Sequence, residues 1–213
     1  MSLIDNLRML NRKERFFLIC EVMGKPAFQL SPQFKDSLQH EFGRSIPDDA
    51  FVAMDYHLNW LYAALVLTYC PEPNDCYSNG DVAVEGNQED VDLLIAWMES
   101  EVAHVLMIEA KGVTYFGNPQ MESKANRLKM IFAADGARWK GVHPHFLLMS
   151  PRRPSMSRLR TSKIPDWMLM KDKETFHWIP MTGLDRKVLK TVTRCDENRH
   201  PSSSGRFWTL TEG

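Results

Sequence analysis

Residues 89–130 constrain this chain more than any other stretch. Two apolar runs, residues 91–98 and 104–110, are joined by a short charged link, and a segment of helical period follows from Gln120. Runs of that length with so short a link pair most simply as an antiparallel hairpin. Each run carries an acid, Asp92 near the start of the first and Glu109 near the end of the second. Pairing the runs brings the two together. Lys111 follows Glu109 at i+2, so in a strand it shares that face, with Ala110 on the other. Two carboxylates beside an ammonium suit a divalent cation. Hard ions such as Mg2+ take oxygen ligands and commonly keep only one or two protein carboxylates. Such an ion lowers the pKa of a bound water and stabilises charge on a phosphate.

The surrounding pattern predicts an α/β fold. Asn11 with Glu14 reads as a capping box for a first helix, ended by Gly24 and Pro26. Ser31-Pro32 opens a second helix, which Gly43 closes, and Pro47-Asp48 opens a third over residues 49–69. In that third helix Met54, Leu58, Leu61 and Leu65 recur at helical spacing, and His57 reads as a core or boundary histidine. Residues 81–85 alternate and predict a first strand, with the two apolar runs following it as a meander. Asn118-Pro119 caps a further helix with Met121, Ala125, Leu128 and Phe132 on its apolar stripe and Gln120, Lys124 and Arg127 on its polar one. Residues 142–149 predict a strand. A helix crossing between two strands implies that they run parallel. Beyond Pro151, residues 155–163 and 164–170 read as short helices, and residues 175–181 and 187–195 as strands.

The residues of the central stretch resemble the core of the PD-(D/E)xK nuclease superfamily, in its RecB-like motif order. That pattern is an acid on one strand, Glu-x-Lys on the next, then a helix bearing Gln; Asp92, Glu109-Ala110-Lys111 and Gln120 stand in that order. The resemblance implies a restriction-endonuclease-like fold, a mixed central sheet flanked by helices with an N-terminal helical part. It implies Mg2+ or Mn2+ held by Asp92, Glu109 and the Ala110 carbonyl. Lys111 would orient the attacking water or stabilise the phosphate, with Gln120 and Lys124 in support. The implied activity is endo- or exonucleolytic hydrolysis of DNA; the alternative is a binding or assembly module that keeps the fold without the chemistry. Many members carry Glu on the helix before the first strand. The third predicted helix here has no Glu, and Asp55, its interior acid, is the candidate for that place.

Charge sharpens the expected partner. Residues 1–150 hold 13 Lys+Arg against 20 Asp+Glu, a net of −7, whereas residues 151–213 hold 13 against 7, a net of +6. A uniformly basic nucleic-acid binder is excluded, but an acidic catalytic half beside a basic extension is not. Between Asp135 and Asp166 there is no acid. Within that stretch Arg152, Arg153, Arg158 and Arg160 are expected to track phosphates, joined by Lys124 and Arg127 from the preceding helix. The chain divides into a helical part (1–70), an α/β core (71–150) and a basic extension of the same domain (151–213). With 44% hydrophobic residues it can bury a full core. Four cysteines without metal spacing, and an N-terminus unlike a signal peptide, fit a cytoplasmic protein; no segment reads as a membrane span. Homodimerisation is left open. His143-Pro-His145 offers two imidazoles at strand spacing, too few for a closed metal site and read as structural. No Walker A, G-x-G-x-x-G or G-x-S-x-G motif supports a nucleotide-fold or serine-hydrolase reading.

Overall fold

The structure, a computed structural model, describes residues 1–212 apart from 25–28, 73–75, 81, 87–88, 113, 155–162, 173 and 184–189. The chain opens with α1 (Leu3–Leu10), set by a reciprocal capping box in which the Ser2 hydroxyl accepts from the Asp5 N–H and the Asp5 carboxylate accepts from Ser2. α2 (Glu14–Phe17) continues into a π-helical turn (Leu18–Val22). It starts two residues later than an Asn11 cap would set it, because its N-cap is Lys13, which makes no side-chain cap. α3 (Pro32–Phe42) has the expected Ser31 cap and ends on Gly43 at φ 67°, the left-handed conformation that favours glycine.

The third predicted helix is half strand. β1 (Phe51–His57) precedes α4 (Leu58–Tyr69). Val52 and Ala53 are buried on opposite faces of the sheet, so no polar alternation marks this segment as a strand. Of the four residues counted at helical spacing, Leu58, Leu61 and Leu65 are buried, whereas Met54 lies on β1 and is exposed. Conversely, residues 82–85 are irregular, not the expected first strand; Asp81 lies outside the described residues.

β2 (Asp90–Glu99) and β3 (Val102–Ala110) form the expected hairpin, followed by α5 (Asn118–Phe132) and β4 (Val142–Ser150). β3 and β4 run parallel, as the crossover requires. A 3-10 turn (Asp166–Met168) leads to β5 (His177–Pro180), which pairs parallel with β4. The result is a mixed five-stranded sheet in the order β1-β2-β3-β4-β5, with helices on its faces. β6 (Lys190–Cys195) and β7 (Phe207–Glu212) form a separate two-stranded ribbon.

Alternation along the strands makes two cores. On one face, Leu94, Met107 and Leu148 meet Leu7 of α1, Leu61 and Leu65 of α4, and Leu128 and Phe132 of α5. Each of the larger side chains contributes about 1.5–3 kcal/mol by leaving water. On the other face, Ile95, Leu106, Leu147 and Ile179 pack with Leu38 of α3 and with Ile46. No helix among the described residues is long and apolar enough to cross a membrane.

Candidate functional site

The start of β2 lies beside the end of β3. Continuing the register Leu93↔Ile108 by one residue sets Asp92 opposite Glu109. Between Met54↔Leu93 and Tyr56↔Val91, Asp55 falls opposite Asp92. Three acids thus stand at one level across β1, β2 and β3. Asp92 is fixed by the Ala110 N–H, which donates to its Oδ2 at 2.6 Å. Asp92 and Glu109 therefore stand opposite each other on paired strands, and Ala110 meets Asp92 through its N–H. Asp55, expected on a helix, is instead on β1 at φ 49°, and its carboxylate pairs with the Arg15 guanidinium at the start of α2.

Glu109 continues the Val105–Met107 row toward α5 and is 3% exposed. Its partner there is Lys124, whose Nζ lies 2.7 Å from Oε1 and is itself buried. Lys124 also donates to the Asp90 carbonyl and sits 3.9 Å from Glu89 Oε1. The 2.7 Å contact is the ion pair that holds the buried Glu109 Oε1. Burial pushes the Glu109 carboxyl up, Lys124 pulls it back, and Asp92 pushes it further up. Lys111, half-buried just past β3, has a smaller lowering influence on the same carboxyl. Gln120 is exposed on the first turn of α5.

Lys124 and Arg127, expected to face phosphate, are corrected by their burial. α5 turns Lys124 toward the sheet, on the helical face of Met121, Ala125 and Leu128, and turns Arg127 toward α4 and residues 82–85. Arg127 donates to Asn59 Oδ1 and, at 3.3 Å, to Glu85 Oε1. Arg127 is taken up by Glu85, and Lys124 by Glu109 with Glu89 farther off; Glu85 and Glu89, on the irregular lead-in to β2, are acids that sequence reasoning missed. Burial raises Glu89 in turn, against the lowering pull of Lys124 and Arg127. Asp90 extends the network to Lys13, 3.0 Å away, and to His57 at 3.7 Å. Of the basic extension, Arg152 and Arg153 are exposed beyond β4, with the Arg153 guanidinium 5.8 Å from the Trp178 ring centre. Arg158 and Arg160 lie outside the described residues.

A second titratable cluster occupies the α3 face. Trp97, His104 and His145 stack with ring centres 5.0 and 5.3 Å apart between neighbours. His104 Nδ1 lies 2.9 Å from His145 Nε2, and His104 Nε2 lies 3.1 Å from Glu99 Oε2. Glu99 in turn takes Arg44 at 2.6 Å. Burial drives the His145 imidazole down to about 3. His143, on the same strand, is exposed. The strand spacing of His143 and His145 was visible in the sequence; His104, inside an apolar run, was not.

Asp92 and Glu109 offer carboxylate oxygens, the donor type that Mg2+ or Mn2+ prefers, with the Lys124 ammonium already on Glu109. Among the described residues no group of three or more His, Cys, Asp or Glu is placed to close around an ion. Asp92, Glu109 and the Ala110 carbonyl are the groups that could hold such an ion, with water or substrate as its other ligands. Comparison of the chain with protein families, curated proteins and solved structures finds no match.

Proposed function

We propose that this chain is a metal-dependent phosphodiesterase acting on DNA. The observation that carries the reading is the juxtaposition of Asp92 and Glu109 on paired strands, with Lys111 just beyond, at the edge where α5 begins. A bound Mg2+ or Mn2+ would supply Lewis acidity toward a phosphate and a water of lowered pKa. The chain's own residues do the rest. The Ala110 N–H orients Asp92. Lys124 acts as a positioning residue, holding the Glu109 carboxylate against the cost of burial. Lys111 offers an ammonium for the negative charge that accumulates on a phosphate in the transition state.

A second reading has one observation in its favour: Lys124 already neutralises Glu109, as it would in a nuclease-like module without activity. Divalent-metal binding and cleavage separate the two. In the active reading, wild-type protein binds Mn2+ in calorimetry and cleaves DNA when it is added. Glu109→Gln keeps the shape and removes the charge, so turnover should fall by at least about a hundredfold with the fold intact by circular dichroism. A wild-type protein that binds no divalent ion and cleaves no DNA would instead be the binding module.

A further inference from the structure

We infer that the β6–β7 ribbon is a docking surface for single-stranded nucleic acid, with Trp208 and Phe207 stacking on bases and Arg194 and Arg206 meeting phosphates. The choice of ligand rests on the DNA reading above. The surface itself is independent of the acid site.

The register sets Arg194 opposite Trp208 and Val192 opposite Leu210, all on one face. That face is open: Trp208 and Val192 are each 67% exposed and Leu210 is 56% exposed. A two-stranded ribbon alone is marginal, and this one leaves its indole open to solvent. Of the chain's six tryptophans, the other five are buried or half-buried, so Trp208 is not core filler.

Two features favour a nucleic acid strand over an apolar protein partner. Phe207, 54% exposed, is adjacent to Trp208 and therefore points to the opposite face. A flat apolar partner can cover one ring or the other, whereas a flexible strand can follow the ribbon and stack on both. The rings are also interleaved with cations: Arg206 precedes Phe207, and Arg194 is the cross-strand neighbour of Trp208. The Gly205 carbonyl accepts from Arg194 Nε at 2.5 Å, which positions the guanidinium at the open face. Of the ribbon's acids, Asp196 and Glu197 sit in the turn, where Asp196 is occupied by the N–H groups of Asn198 and His200, and Glu212 lies at the far end of β7 opposite Lys190. This belongs to the part of the chain with a net charge of +6. Aromatic platforms beside a cationic track are the means by which single strands are held without sequence preference. Duplex DNA keeps its base faces stacked and does not offer them to the rings.

The test uses the full chain with EDTA and no divalent metal, a labelled oligothymidylate, and fluorescence anisotropy across a salt series. Loss of cleavage by the acid site leaves this measurement untouched, so failure of the two readings is distinguishable. The expected result is preference for the single strand over a duplex of the same length, with its exposed tryptophan protected from acrylamide quenching. Trp208→Ala should weaken binding about tenfold, and Trp208→Phe should restore most of it. Arg194→Ala with Arg206→Ala should lower the salt slope by about 1. The quenching measurement on wild-type protein tests the proposal even if the alanine variant does not fold. Absence of binding, equal affinity for the duplex, or no protection of the indole would overturn it. So would a concentration-dependent dimer abolished by Trp208→Ala, which would make the ribbon an interface between copies.

Discussion

On the face covered by α4 and α5, a carboxylate and an ammonium are buried against each other; on the face covered by α3, a buried imidazole and a half-buried one stack with a buried indole. Both arrangements take polar groups out of water, but by different means. Glu109 and Lys124 keep a pair of charges in the interior, where each depends on the other. His104 and His145 avoid charge, since burial disfavours their protonated forms and Arg44 adds to that effect. A neutral stack costs little to keep and suits a structural role. A retained carboxylate beside Asp92 is costlier, and it is the group for which a chemical role is proposed.

The largest effect should come from removing half of the charged pair. Lys124→Met leaves Glu109 buried without its cation and should cost about 3–5 kcal/mol in chemical denaturation. Glu109→Gln combined with Lys124→Met should recover part of that loss, because no isolated carboxylate remains. A Lys124→Met variant as stable as wild type would dissolve the contrast between the two faces.

The next effect is on pH dependence, where the two faces act with opposite sign. His145 has its folded pKa near 3 against an ordinary value of 6.5. Between those values the unfolded chain carries the proton and the folded chain does not, so stability falls as pH falls, by about 2 kcal/mol at pH 5. Glu109 is raised above its ordinary 4.5. Above 4.5 and up to that raised value, the folded chain holds a proton that the unfolded chain has released, so stability falls as pH rises. His145→Phe should therefore flatten the acid limb of a stability–pH curve, while Glu109→Gln should steepen it. Denaturation midpoints from pH 4 to 8 read both slopes.

The smallest effect belongs to the exposed cations. Arg152→Ala with Arg153→Ala should leave stability within about 0.5 kcal/mol, as surface changes usually do. It should lower the salt slope of duplex DNA binding by up to about 2. An unchanged slope would remove this pair from the DNA-facing surface.

Much of the scaffold was legible because single residues carried it. Ser31-Pro32 and Gly43 bounded α3, and the short link after Met98 made β2 and β3 a hairpin, whose period of two then paired Asp92 with Glu109. β1 was hidden because residues 51–53 are apolar on both faces and run into α4 without punctuation. α1 was passed over although Ser2 and Asp5 stand at capping-box spacing. Lys124 and Arg127 were assigned outward because cations on a helix usually face water. Nothing local to α5 announces that Glu85, Glu89 and Glu109 wait beneath it, since one lies on another strand and two on an irregular segment.

The borders of the main sheet carry their own consequence. β1 is interrupted by Asp55 in a left-handed conformation, and β5 is four residues long and ends in a proline that has no N–H to donate. Neither margin offers a long, regular row of free amides and carbonyls, which is what a sixth strand from a neighbouring molecule would need. Among the described residues, self-association by strand addition is therefore disfavoured at both sides of this sheet.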